Sequence, residues 1–226
     1  MPLRHTCFIS HRHGQHDLMK RFVREFMEAL CAEMEMQIRP AGVYLDQEQL
    51  EGGDFFNESL ARNLFESACL VMVYTPAYFD PENTFCTREF LAMESLERDR
   101  LRMLGKAADR NHGLIVPVVL RGARQLPEFI RLSRHHYSFE NFLLGGRRLS
   151  YHPLFAPSMR DLATYIADRF RELNALPFNR FEDSGFHLPD ETVAAEFLGR
   201  IGFAGRMPFP GRGDSYCETP TSWARS

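Results

Sequence analysis

Residues Cys69 to Tyr74 read Cys-Leu-Val-Met-Val-Tyr, an apolar run that stops at Thr75-Pro76. A strand with one face in water alternates polar and apolar residues. This run does not alternate, so both of its faces must be covered. Covering both faces of a sheet takes helices on both sides, which puts the run inside a parallel α/β sheet.

The rest of the chain supplies the partners. Thr6 to Ser10 is a short apolar strand that stops at His11-Arg12-His13-Gly14. Asp17 is placed to cap a helix from Leu18 to about Met34, with Leu18, Phe22, Phe26 and Leu30 at helical spacing. Gly42 to Leu45 is a second strand ending at Asp46. A loop from Gln47 to Asp54 turns at Gly52-Gly53, and Asp54 caps a helix with Phe56, Leu60 and Leu64 on its stripe. After the third strand, a helix from about Cys86 to Leu104 carries Phe90, Met93 and Leu101 inward and pairs Glu94 with Arg98 outside. Gly113 to Leu120 is a fourth strand, in which Pro117 points to an edge-like or irregular position. His136 to Phe139 is a weaker fifth, and Ser158 caps a helix bearing Leu162, Tyr165, Ile166 and Phe170.

With right-handed crossovers, this alternation predicts a flavodoxin-like, doubly wound parallel five-stranded sheet of order 2-1-3-4-5, with helices on both faces. Strands 1 and 3 then flank the switch point, and ligands bind beyond the carboxyl ends of the strands there. Ser10, His11, Asp46, Thr75 and Glu89 converge on that edge. The predicted domain covers residues 1–173. Residues 174–226 form an extension rich in Pro and Gly, with one short helix from Glu191 to Ile201. Its stripe of Val193, Phe197 and Ile201 is read as docking on the domain, with a surface for a partner protein as the alternative.

Bulk properties exclude some classes. A net charge of −3 gives no basic field for nucleic acid. Five cysteines, an odd count with no Cys-x-x-Cys pair, fit a reducing cytoplasm better than a disulfide framework. No signal peptide is expected at residues 1–10, and no apolar run approaches a membrane span. His11, His13 and His16 lie on a polar loop without a carboxylate or thiolate at ligand spacing, so no metal is expected. Cys86 lacks an evident base and reads as packing. Ser10 beside His11 is not triad geometry. A phosphoacceptor receiver would need an aspartate where Thr75 stands and an acidic pair where His11-Arg12 stands.

Five blocks occur together and in order: Cys7-Phe8-Ile9-Ser10, Val43-Tyr44-Leu45-Asp46, Leu50-Glu51-Gly52-Gly53-Asp54, Ser67 to Pro76, and Phe85-Cys86-x-x-Glu89. In this the chain resembles the Toll/interleukin-1 receptor (TIR) domain family, in particular its bacterial NAD-consuming type. The resemblance implies a flavodoxin-like fold and one of two functions. The first is a nucleosidase, either glycohydrolase or cyclase, that cleaves the nicotinamide–ribose bond of NAD+ as a defence or signalling effector activated by head-to-tail self-association. The second is a non-catalytic module for TIR–TIR interaction. On the first reading NAD+ is the substrate and no further cofactor is implied. The resemblance makes Glu89 the required carboxylate, the Asp46–Phe55 loop a gate, and Ser10 to His13 contacts for phosphate and ribose. Phe85 stands where enzymatic members often carry tryptophan, which keeps a flat apolar face and removes the indole donor.

The residues themselves fit that chemistry. Cleavage at the nicotinamide–ribose bond develops a sugar cation, which a fixed carboxylate in a dry pocket stabilises. Nicotinamide leaves a pyridinium as a neutral molecule, so no general acid is needed. Arg12, with His13, can meet the diphosphate. Gly53 allows close backbone approach, and Phe55 or Phe85 can stack on a ring.

Overall fold

The computed structural model describes residues 3–13, 17–38, 42–45, 53–106, 112–142, 148–176 and 186–202. Five parallel strands form one sheet: β1 (His5–His11), β2 (Val43–Leu45), β3 (Ser67–Tyr74), β4 (Ile115–Val119) and β5 (Tyr137–Ser138). Their order is β2-β1-β3-β4-β5, a flavodoxin-like α/β arrangement. The helices are α1 (Asp17–Glu35), α2 (Gly53–Phe65), α3 (Phe85–Met103), α4 (Glu128–Ser133), α5 (Phe155–Asn174) and α6 (Glu191–Arg200).

β3 is buried at every position, as its unbroken apolar run requires. It is paired on both sides, with Ile9 opposite Val71 on β1 and Val71 opposite Val116 on β4. The helices close both faces. α1 supplies Phe22, Val23, Phe26, Leu30 and Met34 to the core. α5, packed against α1 on the same face, supplies Met159, Leu162, Ile166 and Phe170. α2 and α3 cover the opposite face with Leu60, Leu64, Phe90 and Met93.

Several sequence expectations shift here. Leu18 is exposed rather than part of the α1 stripe, because the core side of α1 begins one turn later at Phe22. α2 begins at Gly53, so Asp54 lies inside the helix instead of before it. α5 begins at Phe155, so Ser158 sits in its first turn and is not the cap. Pro157 does not prevent that start, because a helix leaves its first N–H groups without internal partners. Glu94 pairs with Arg134 at 3.8 Å in place of Arg98.

Pro117 occupies a strand with neighbours on both sides, contrary to the edge-like expectation. The ladder explains why it is tolerated. Leu120 donates to Tyr74 on β3, while Val119 accepts from Phe139 on the β5 side. Residues along a strand alternate in the direction of their backbone groups, so Pro117 turns its nitrogen toward β5. β5 pairs only from Val118 onward, so the proline displaces no ladder bond there.

A buried arginine fixes α3 against the sheet. Arg100 is 1% exposed and donates to the carbonyl oxygens of Phe65 and Ser67, at 2.5 and 2.6 Å. Glu97, also on α3, accepts from the backbone N–H of Leu114 and Ile115 and pairs with Arg134 at 2.7 Å. α3 is therefore tied to the entrance of β3 and to the approach to β4 by charge-assisted hydrogen bonds.

Part of the C-terminal extension docks on this framework. Asp190 caps α6 by accepting from the N–H of Val193. α6 turns Ala194, Phe197 and Leu198 inward, while Val193 is 43% exposed. Of the expected Val193–Phe197–Ile201 stripe, Phe197 and Ile201 pack on the core, while Val193 lies outside and Ala194 and Leu198 complete the inward face. Phe197 enters a ring cluster with Phe79, Phe90 and Phe129, at centroid distances of 6.1, 5.9 and 5.7 Å.

Candidate functional site

Glu89 is the centre of the site. It lies one turn into α3, at the carboxyl edge of the sheet, and is only 2% exposed. Helix position alone would leave a glutamate solvated. Here α3 crosses the end of β1, and the side chain turns inward to it. Ser10, near the end of β1, donates from Oγ to Glu89 Oε2 at 2.5 Å. Ser10 is itself 1% exposed, and its Oγ lies 2.7 Å from the hydroxyl of Tyr78. A carboxylate on α3 is thus held beside the switch point between β1 and β3 by hydroxyl groups from two other segments, β1 and the turn after β3.

His11 and His13 follow Ser10 and face each other with ring centroids 4.3 Å apart. Burial, reinforced by the neighbouring His13, lowers the pKa of His11 to about 3. His11 is therefore a neutral imidazole at physiological pH. Its Nδ1 is buried without a hydrogen-bond partner.

Arg12 carries the permanent positive charge of this corner. It pairs with Asp80 at 2.8 Å and donates to the His13 carbonyl at 3.1 Å. Its Nε is buried without a partner. Asp80 is held from the other side by the N–H of Glu82.

Thr75 is half-buried at the end of β3, and its carbonyl accepts from Tyr78 N–H, closing the turn that carries the tyrosine. Phe85 stands one turn before Glu89 on α3 and is 38% exposed, so a flat ring is offered to solvent beside a buried carboxylate. The Arg88 guanidinium lies over that ring, 5.4 Å from its centroid. Cys86 is buried, as packing requires. Gly53 opens α2, and Phe55 follows in its first turn. Asp46, and residues 47–52 of the expected gating loop, lie outside the described residues.

The structure thus gathers Ser10, His11, Arg12, His13, Thr75, Phe85 and Glu89 around the ends of β1 and β3. Sequence reasoning missed Tyr78 and Asp80. Both lie in the Pro76–Asp80 turn, where an aromatic residue and an acid read as ordinary loop. The available signal was their position, since every residue immediately beyond β3 lies at the switch point.

The model of one family, the TIR domain, matches residues 7–142. The chain belongs to the TIR domain family. No curated protein and no solved structure matches it. The match runs from β1 past β5 and includes every described residue of the site. It stops short of α5 and α6. At family level, membership makes this TIR domain a signalling and TIR–TIR interaction module, in a family that includes NAD-cleaving enzymes. Among the described residues, no helix is long and apolar enough to cross a membrane.

Proposed function

We propose that this TIR domain is an NAD+ nucleosidase and that Glu89 is its catalytic residue. One observation carries the reading: the Glu89 carboxylate is buried and hydrogen-bonded at the sheet's ligand-binding edge, where a solvated helix residue would point outward.

The reaction follows from electrostatics. The bond between the ribose anomeric carbon and the pyridinium nitrogen breaks, and its electron pair stays with nicotinamide, which departs neutral. Positive charge develops on the ribose. An ionised carboxylate in a water-poor pocket opposes that charge far more strongly than it would in water. Water attacks the anomeric carbon and loses its proton to solvent, giving ADP-ribose; attack by the adenine of the same molecule would cyclise it. A neutral His11 suits this scheme, because no proton donor is required at the leaving group. Arg12 is placed to meet the diphosphate, and Phe85 to stack on a ring. In the cell such an activity would make the protein a signalling or defence effector.

Chromatography of NAD+ incubated with concentrated protein tests the proposal. Wild type is expected to release nicotinamide, and Glu89→Ala to release less than about one-hundredth as much, the scale of losing one transition-state charge partner. Equal release by both would move catalysis away from Glu89. No release by wild type would leave TIR–TIR association as the function.

A further inference from the structure

The surroundings of Glu89 contain a directed chain of hydroxyl groups. Tyr78 is wholly buried, Ser10 is 1% exposed, and Glu89 is 2% exposed. Ser10 has a single hydroxyl proton, and an ionised carboxylate only accepts. Ser10 therefore gives its proton to Glu89 Oε2, at 2.5 Å. The contact between Ser10 and Tyr78, at 2.7 Å, must then run the other way, with the phenol as donor. Burial, above all, and the nearby Cys86 and Glu89 push the Tyr78 pKa well above its ordinary value. The phenol stays protonated and remains a donor at any working pH.

We propose that Tyr78 is a positioning residue that acts through Ser10 to fix the orientation of the Glu89 carboxylate. The catalytic consequence rests on the NAD+-cleaving reading; the chain of hydrogen bonds does not. Each bond polarises the next, so a donor behind Ser10 strengthens the bond that Ser10 gives to Glu89. Without that donor, Ser10 Oγ keeps an unmet acceptor site in a dry environment and its rotor loses one restraint. The three residues come from β1, the turn after β3, and α3, so the chain also sets the distance between elements that meet at the reacting edge. Tyr78 is anchored by ring contacts to Tyr74 and Phe79, at centroid distances of 6.4 and 5.0 Å. A phenylalanine keeps those contacts and deletes only the hydroxyl.

Two measurements on the full chain test the proposal separately from the activity it serves. In proton NMR, the buried Tyr78 hydroxyl is expected to give a resolved resonance that moves upfield in Glu89→Gln, because a neutral amide is a weaker end to the chain. A resonance that ignores the Glu89 substitution would overturn the inference, whether or not NAD+ is cleaved. In the nicotinamide-release assay, Tyr78→Phe is expected to lower kcat about tenfold, the effect of roughly one hydrogen bond. KM should change less than about twofold, and the acid limb of the kcat profile should move to higher pH. A purely structural tyrosine would leave that profile in place. Unchanged kcat and pH profile in a folded Tyr78→Phe protein would refute the positioning role. A wild type that cleaves no NAD+ would end the enzymatic reading and leave the NMR result to decide on the chain.

Discussion

His11 sits at the junction of stability and chemistry. Its pKa is lowered to about 3 in the folded protein by burial, whereas an unfolded chain titrates it at 6.5. The unfolded state therefore binds more protons between those values, and stability falls as pH drops through that window. The contribution is complete above pH 6.5 and shrinks by about 2 kcal/mol on going to pH 5. Urea titrations at both pH values check this, and His11→Asn should flatten the difference. Arg12 gives a prediction of a different kind. Its guanidinium is paired with Asp80, and it directly follows the last residue of β1. Arg12→Ala is expected to raise KM for NAD+ about tenfold with a smaller effect on kcat, because a diphosphate contact persists from ground state to transition state.

At the scale of elements, Arg100 is the critical fastening. Arg100→Leu would strand the carbonyl oxygens of Phe65 and Ser67 and remove the cation that joins α3 to the start of β3. A loss of about 3–5 kcal/mol is expected in chemical denaturation, the cost of leaving buried partners uncompensated. The strands themselves were legible in the sequence. β3 announced its burial by its unbroken apolar run, and the order of the sheet followed from alternation and handedness. What did not show was the fine setting of the helices. Ser158 reads as a cap, yet α5 starts a turn earlier at Phe155, and the face of α6 depended on which residues met Phe79 and Phe90 across space. The candidate site shows the same division. The positions of Ser10, Glu89 and Phe85 were readable because strand ends and helix starts are local signals. Tyr78 was not, since its role depends on a contact between residues 10 and 78, which no local pattern encodes.

Across the whole molecule, the α6 segment is part of the packing rather than an appended tail. Phe197→Ala should cost about 3–5 kcal/mol, as for other large buried aromatics, and thermal or chemical unfolding would show it. The same helix sits close to the candidate site by connectivity. Arg88, the residue before Glu89, donates from Nε to the Pro189 carbonyl at 2.6 Å, immediately ahead of the α6 cap. If head-to-tail association activates the TIR domain, specific activity should climb with protein concentration; a flat response from dilute to crowded solution would exclude that trigger. The docked helix also limits how such an array could be built. A second copy approaching the α3 flank at Phe90 would touch α6 first, so neighbours must either stack on faces left bare or displace this chain's own C-terminal segment before they can reach α3.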